Sequence, residues 1–250
     1  MKLIIFRHGE TDGNVRNIVQ GAGIDCPLNE TGKKQAALLR DRLASEKLPA
    51  IYCSHLCRAR ETAEIVASSN HAPVIERDGL EEVHYGIAEG MLSAEAHVKF
   101  AAVLEAINDK SNPNRFDVSI PGAETIRGST ERGLKALMKI KADCPYPVAG
   151  IATHGALMFN LYYHFFKAER RFANCEYFTL RSGGKTFITF LFDSCFTWAV
   201  SVPMAYCLSR FSGLNIVTIY LFVNGMDIIK CTIGFVLVKK GVWVKNIVKE

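Results

Sequence analysis

The chain has 250 residues, 49% hydrophobic and 22% charged, with a net charge of +5, which is globular usage and excludes intrinsic disorder or a core that depends on disulfides. The average conceals a split: 36 of the 60 residues from Leu191 to Glu250 are hydrophobic, and that stretch carries six Lys/Arg against three Asp/Glu. The first 190 residues hold 24 basic and 22 acidic groups, a near balance that argues against nucleic acid as a partner.

Leu3–Phe6 is a short apolar run of the kind found in strands buried on both faces. Four apolar residues are too few for a signal-peptide core, so a cytoplasmic location is expected. Thr31 is a candidate cap for a helix running to about Ser45, with Ala36, Leu39 and Leu43 at helical spacing. Ala50–Cys53 reads as a second strand, Cys57–Ser68 as a helix and Val74–Glu76 as a third strand. Leu92–Asn108 is helical in composition and is followed by a polar loop, Asp109–Asn114. Ser129 or Thr130 can cap a helix through about Lys141. Pro147–Thr153 reads as a strand and Ala156–Lys167 as a strongly apolar helix. Tyr177–Arg181 and Thr186–Phe192 flank Ser182-Gly183-Gly184-Lys185, which reads as a hairpin turn. Strands alternating with helices define an α/β protein with a mostly parallel sheet. The eight cysteines form no CxxC pair and no zinc spacing, so buried reduced thiols are expected.

Chemistry concentrates where these strands end. The first runs into Arg7-His8-Gly9-Glu10-Thr11, with Asn14 beyond. The strand before Ala156 ends at Thr153-His154-Gly155, and the Ile51–Cys53 strand leads through Ser54-His55 to Arg58 in the first turn of a helix. Ligands of open parallel sheets bind at the carboxyl ends of the strands. Two imidazoles and two guanidinium groups brought together there make a phosphate pocket, since Arg matches phosphoryl oxygens bidentately at any physiological pH. The helix N-termini after His154 and near Arg58 are expected to add backbone N–H donors aimed at the same anion.

Arg7-His8-Gly9-Glu10-Thr11-Asp12-Gly13-Asn14 resembles the signature of the histidine phosphatase superfamily, in its phosphoglycerate mutase-like branch. Five further stretches match in the family's order. Gln20-Gly21 with Asp25-Cys26-Pro27-Leu28 and Gly32–Ala36 is similar to the segment after the signature. Ser54–Ala63 resembles the second motif, which supplies Arg58, and Leu80–Gly86 with Glu89-Gly90 resembles the third, which supplies Glu82. Pro121-Gly122-Ala123-Glu124 and Ala152-Thr153-His154-Gly155 complete the set, which spans residues 1 to about 192. The chain departs from the family's pattern at His55 (often Asp), Ala88 (often Trp) and Ala123 (often Gly).

The resemblance implies a three-layer α/β/α sandwich and a reaction through a phosphohistidine on His8. Arg7, Arg58 and His154 would neutralise the phosphoryl oxygens, and Glu82 would act as general acid and then base, in preference to the adjacent Glu81, which is expected to be solvated. Substrate contacts are implied at Thr11, Asn14, Gln20 and Gly21. No metal and no cofactor is expected, because fixed cations take that role, and the partner is a small phosphorylated metabolite. Gln20 and the short Gly90–Pro121 region favour hydrolysis of a phosphomonoester. A cofactor-dependent phosphoglycerate mutase is the second reading, and a catalytically silent, membrane-tethered binding module the third. Specificity is expected to come from Gly90–Gly122.

Residues 1–192 are thus expected to form the catalytic domain and 193–250 a hydrophobic extension. Ser194–Ser209 and Phe211–Met226 are uncharged windows of 16 residues, short of what a membrane span needs, and Ile216–Val223 can equally be a strand. Three origins stay open for the extension: a packed or partly disordered addition, a membrane-associating tail followed by Lys239, Lys240, Lys245 and Lys249, or a change of reading frame near Asp193.

Overall fold

A computed structural model describes residues 1–181, 195–225 and Thr232. It divides by its contacts into Met1–Arg181 and Ser182–Glu250. The first unit is a five-stranded sheet in the order β3-β2-β4-β1-β5, with β1 Lys2–Arg7, β2 Ile51–Cys53, β3 Val74–Glu76, β4 Val148–Thr153 and β5 Tyr177–Arg181. The first four strands run parallel and β5 pairs antiparallel with β1 at the edge. The expected α/β class and mostly parallel sheet are what the chain forms.

Alternation along β1 assigns the two faces. Ile4 and Phe6 pack with Ala36, Leu39 and Leu43 of α2 (Glu30–Leu43) and with Ala63 and Val66 of α3 (Cys57–Ala67). Leu3 and Ile5, also buried, point to the opposite face. On that face α7 (Gly155–Phe166) meets β1 and packs against α6 (Ile126–Asp143). A third, smaller apolar group (Ala88, Ala96, Phe100, Ile120) joins α4 (Ser93–Lys99) to the loop before α6. The single helix expected over Leu92–Asn108 is broken at Phe100, whose φ of −114° leaves the helical range; α5 (Ala101–Asn108) begins beyond it.

Two helix caps lie upstream of their expected positions. Asn29, not Thr31, caps α2, its side chain accepting the Gly32 N–H at 2.8 Å. Thr125, not Ser129 or Thr130, caps α6 by accepting the Gly128 N–H at 3.0 Å. Ser129 is buried inside the helix, where Asn160 of α7 donates to its hydroxyl at 2.9 Å. In the second unit a π-helical turn, Thr197–Ser201, precedes α8 (Val202–Phe211), and 216–225 is helical, so Ile216–Val223 is not a strand. Among the described residues no helix is long and apolar enough to cross a membrane. The expected hairpin turn Ser182–Lys185, the strand Thr186–Phe192 and the expected boundary at residues 192 and 193 lie outside the described residues.

Candidate active site

Register places the site. Arg7 of β1 pairs with Thr153 of β4, so His8 and His154 leave the sheet side by side, their ring centroids 5.2 Å apart. Cys53 of β2 pairs with Ala152, which starts the turn into α3 at the same level and delivers Arg58 in its first turn. The His8 backbone is held by its N–H to Thr153 O and by Asn174, whose amide donates to His8 O, both at 3.0 Å. Gly9 is required by close approach: a Cβ there would lie 2.5 Å from the Gly32 carbonyl oxygen at the start of α2.

Both imidazoles are buried, at 3% and 0% exposure. Burial, then the charges of Arg58 and Arg7, push the His8 pKa well below its ordinary value; the same causes with His8 itself lower that of His154. Both rings are therefore neutral at physiological pH. His8 Nδ1 lies 2.6 Å from Gly9 O, and the carbonyl can only accept, so Nδ1 carries the proton and Nε2 keeps its lone pair. His154, expected to share in neutralising the phosphoryl oxygens, lies fully buried beside His8 and behind the residues that line the cavity.

The two guanidinium groups are fixed by backbone carbonyls rather than by carboxylates. Arg7 donates to Phe172 O at 2.7 Å, and Arg58 donates to Ile24 O at 2.8 Å and Gly21 O at 2.7 Å. Arg58 is 1% exposed, with Asp25 3.9 Å away as a partial counter-ion. The Nε of each arginine and both ring nitrogens of His154 are buried and have no hydrogen-bond partner among the described residues. Such groups are costly unless a hydrogen-bond partner satisfies them.

The cavity beside them measures about 260 Å³ and is lined at this end by Arg7, His8, Asn14, Gln20, Arg58 and Glu82. Asn14 accepts the Thr11 N–H at 3.1 Å through its Oδ1, leaving its amide N–H groups for the cavity. Gly21 also lines it, and its carbonyl anchors Arg58. Thr11 is fully buried outside the lining; it caps the short helix α1 (Asp12–Val15) and bonds to Gln20 at 2.9 Å, so it positions Asn14 and Gln20.

Neither helix N-terminus faces the cavity's anion site as expected. The first-turn N–H groups of α7 donate to Glu82, Ala156 to Oε2 at 3.2 Å and Leu157 to Oε1 at 3.1 Å, while Val83 N–H adds a bond at 3.0 Å. At α3 the Cys57 N–H is taken by Asp25 at 2.7 Å. The carboxyl groups of Glu82 and Asp25 thus take the first-turn N–H groups described at the two helix ends. Glu81 is not solvated: it faces Arg132 of α6 at 2.9 Å with only 13% of its side chain exposed. Arg132 also bonds Glu124 at 2.7 Å and donates to the Glu81 and Glu82 carbonyls, tying the Glu82 loop to α6.

Arg132 and Asn174 carry no motif and were not picked out from sequence; nor was His97, which lines the outer cavity from α4. Their nearness to the site comes from packing between segments far apart in the chain. Among the thiols, Cys53 is pushed up to about 12 by burial, and Cys57 is raised by burial and by Glu61, so neither is a ready nucleophile. Among the described residues no group of three or more His, Cys, Asp or Glu side chains is placed to hold a metal ion.

Residues 3–188 match the family model of the histidine phosphatase superfamily (branch 1), and the chain belongs to that family. It is 34% identical over 64% of its length to a metal-independent phosphoserine phosphatase of Arabidopsis thaliana, covering 67% of that protein. It is also 34% identical to the uncharacterized phosphatase PhoE of Bacillus subtilis, over 61% of this chain and 70% of PhoE. Among solved structures, YhfR of Bacillus stearothermophilus superposes with a TM-score of 0.66 at 27% identity, covering 73% of this chain and 92% of that one. A mycobacterial glucosyl-3-phosphoglycerate phosphatase in complex with VO3 has the same fold, with a TM-score of 0.65 at 24% identity over 72% of this chain and 92% of that one.

Proposed function

We propose that the chain is a phosphomonoesterase that hydrolyses a small phosphorylated metabolite through a phosphohistidine on His8. One observation carries the reading: a neutral imidazole with its Nε2 lone pair free shares a cavity lining with Arg7, Arg58, Asn14 and Glu82. That is the arrangement a phosphoryl group completes.

In the first step His8 Nε2 attacks phosphorus and the P–O bond to the alcohol breaks. Glu82 gives its proton to the departing oxygen, so the alcohol leaves neutral and Glu82 is left as carboxylate. Arg7 and Arg58 take up the charge that spreads over the phosphoryl oxygens, with His154 and Asn14 donating as neutral groups. In the second step Glu82 takes a proton from water, the hydroxide attacks phosphorus, the P–N bond breaks and inorganic phosphate departs with His8 restored. The bonds from α7 hold the Glu82 carboxylate while one lone pair of Oε2 stays available for that proton. Gln20 and Gly21 complete the substrate end.

Relatives named as phosphatases support hydrolysis, and relatives named as phosphoglycerate mutases keep transfer back to a sugar acid as the second reading. A full set of five polar groups speaks against a silent binding module. The same reading takes 1–192 as the catalytic domain, 193–250 as an extension and the cytoplasm as the location, in keeping with free thiols such as buried Cys53 and Cys175. Rapid acid-free quenching of enzyme mixed with 4-nitrophenyl phosphate, followed by mass spectrometry, should show one phosphoryl group on the peptide holding His8. Turnover without that adduct, unchanged in His8→Ala, would remove the mechanism; isomerisation of 3-phosphoglycerate outpacing its hydrolysis would favour the mutase.

A further inference from the structure

The cavity has a second end that the phosphoryl chemistry does not use. Beyond Glu82 its walls are Ile18, Val19, Ala88, Ala96, Leu104 and Ile120, drawn from the loop after α1, from α4 and α5, and from the loop before α6. Ala88, Ala96 and Ile120 belong to the apolar cluster around Phe100, so this wall is part of a packed core and not a mobile fringe. The polar groups at this end are Tyr85, Ser93 and His97. His97 Nδ1 donates to Ser93 O at 2.6 Å, which leaves Nε2 to meet a hydroxyl group. The only Lys or Arg side chains among the lining residues are Arg7 and Arg58, both at the phosphoryl end, and the only carboxylate is Glu82. Arg171 is exposed and lines a neighbouring cleft with Lys110 and Glu169, from which its charge reaches Tyr85.

On the phosphatase reading above, we infer that the alcohol half of the substrate is small and uncharged, with an apolar face against Leu104 and Ile120 and hydroxyl groups toward Ser93 and His97. A carboxylate or an ammonium seated on this wall would lose water without gaining a Lys, Arg or carboxylate partner among the lining residues. A volume of about 260 Å³ shared between both halves holds a short alcohol, being below the range of pockets that take larger ligands. The substrate class is therefore a neutral polyol or short alkyl monophosphate, distinct from a phosphorylated sugar acid or amino acid.

The test compares alkyl monoesters whose leaving groups are similar and whose charge differs. Glycerol 3-phosphate and 3-phosphoglycerate share a skeleton in which a CH2OH replaces a carboxylate; 3-methylbutyl phosphate and O-phosphoserine extend the series. Steady-state kcat/KM of the full-length wild type is expected to favour each neutral ester over each charged one by about tenfold or more. Leu104→Arg, which adds a cation to the half-exposed wall, is expected to shift the ratio toward 3-phosphoglycerate by about tenfold. A wild type that turns over 3-phosphoglycerate as well as or better than glycerol 3-phosphate overturns the inference. A preference for the acid that disappears in Arg171→Ala overturns it too, by showing that a rim cation reads the carboxylate. If no ester is hydrolysed and no phosphohistidine forms, the phosphatase reading falls, and that result is distinct from a wrong preference among esters that do turn over.

Discussion

The two ends of the cavity are built by opposite physical strategies. At the phosphoryl end charge is buried on rigid scaffold: Arg58 is 1% exposed, held by two backbone carbonyls, and both imidazoles sit at strand ends fixed by sheet register. At the alcohol end apolar side chains from short helices and loops form a wall with Tyr85, Ser93 and His97 as its polar groups. Preorganised charge stabilises a transition state because it cannot relax away, whereas an apolar wall discriminates by size and by refusing charge. Substitutions at the first end should therefore alter the chemical step by orders of magnitude, and those at the second should alter substrate preference by factors of a few.

His8→Ala is the strongest way to break this contrast. It removes the nucleophile, and kcat for an alkyl phosphate should fall by about 10³-fold or more, measured by phosphate release. A fall of less than tenfold would mean that the buried cations act on water directly. Arg58→Lys comes next, with an expected loss of about 10²-fold in kcat/KM, because a compact ammonium lacks the planar fork that spans Gly21 O and Ile24 O while still facing phosphate. Arg132→Ala acts at a distance by freeing the Glu82 loop from α6. It should lower kcat more than it raises KM, by about tenfold, and Arg132→Lys should restore part of that loss; an unchanged kcat would reduce Arg132 to a structural tie.

Acid pH probes the phosphoryl end through stability. The folded pKa values of His8 and His154 lie well below the ordinary 6.5, so the native state resists protons that the unfolded chain accepts. The stabilisation is whole above about pH 6.5 and is lost as pH falls below it, by up to about 1.4 kcal/mol per pH unit for each ring until its folded pKa is reached. Thermal melts between pH 7 and 5 should show that slope, and His154→Asn should reduce it. Inorganic phosphate is expected to flatten it as well, because an anion beside the rings favours their protonated forms.

The phosphoryl end was legible in the sequence because its chemistry demands particular residues beside particular turns. Arg7-His8-Gly9, Arg58 at a helix start and Thr153-His154-Gly155 are weak signals singly and specific in combination. Strand positions were legible for the same kind of reason: a run such as Leu3–Phe6 has no polar face to offer solvent. What stayed hidden was decided by packing across long separations. Carboxylates taking the N-termini of α3 and α7, Arg132 bracing Glu81 and Glu124, and Phe100 breaking a helix to anchor a cluster leave no periodic trace. The caps of α2 and α6 are hard to place from sequence because Thr31, Ser129 and Thr130 are good capping types lying within a few residues of Asn29 and Thr125, the side chains that do cap.

The alcohol end was the least legible, because Leu104, Ile120 and Ala96 carry no chemistry of their own, and their smallest substitution is the finest test of the contrast. Leu104→Ala removes three carbons from a half-buried wall. Apolar burial amounts to about 0.8 kcal/mol per CH2 at full burial, so partial loss of one face should be worth roughly 1 kcal/mol of substrate binding. For 3-methylbutyl phosphate that is a rise of about fivefold in KM that exceeds any fall in kcat, because the same contact is made before and during phosphoryl transfer. For glycerol 3-phosphate, which presents hydroxyls in place of methyl groups, the rise should be smaller. A large fall in kcat with either ester would mean that the wall also aligns the P–O bond with His8, and the division of labour between the two ends would no longer hold.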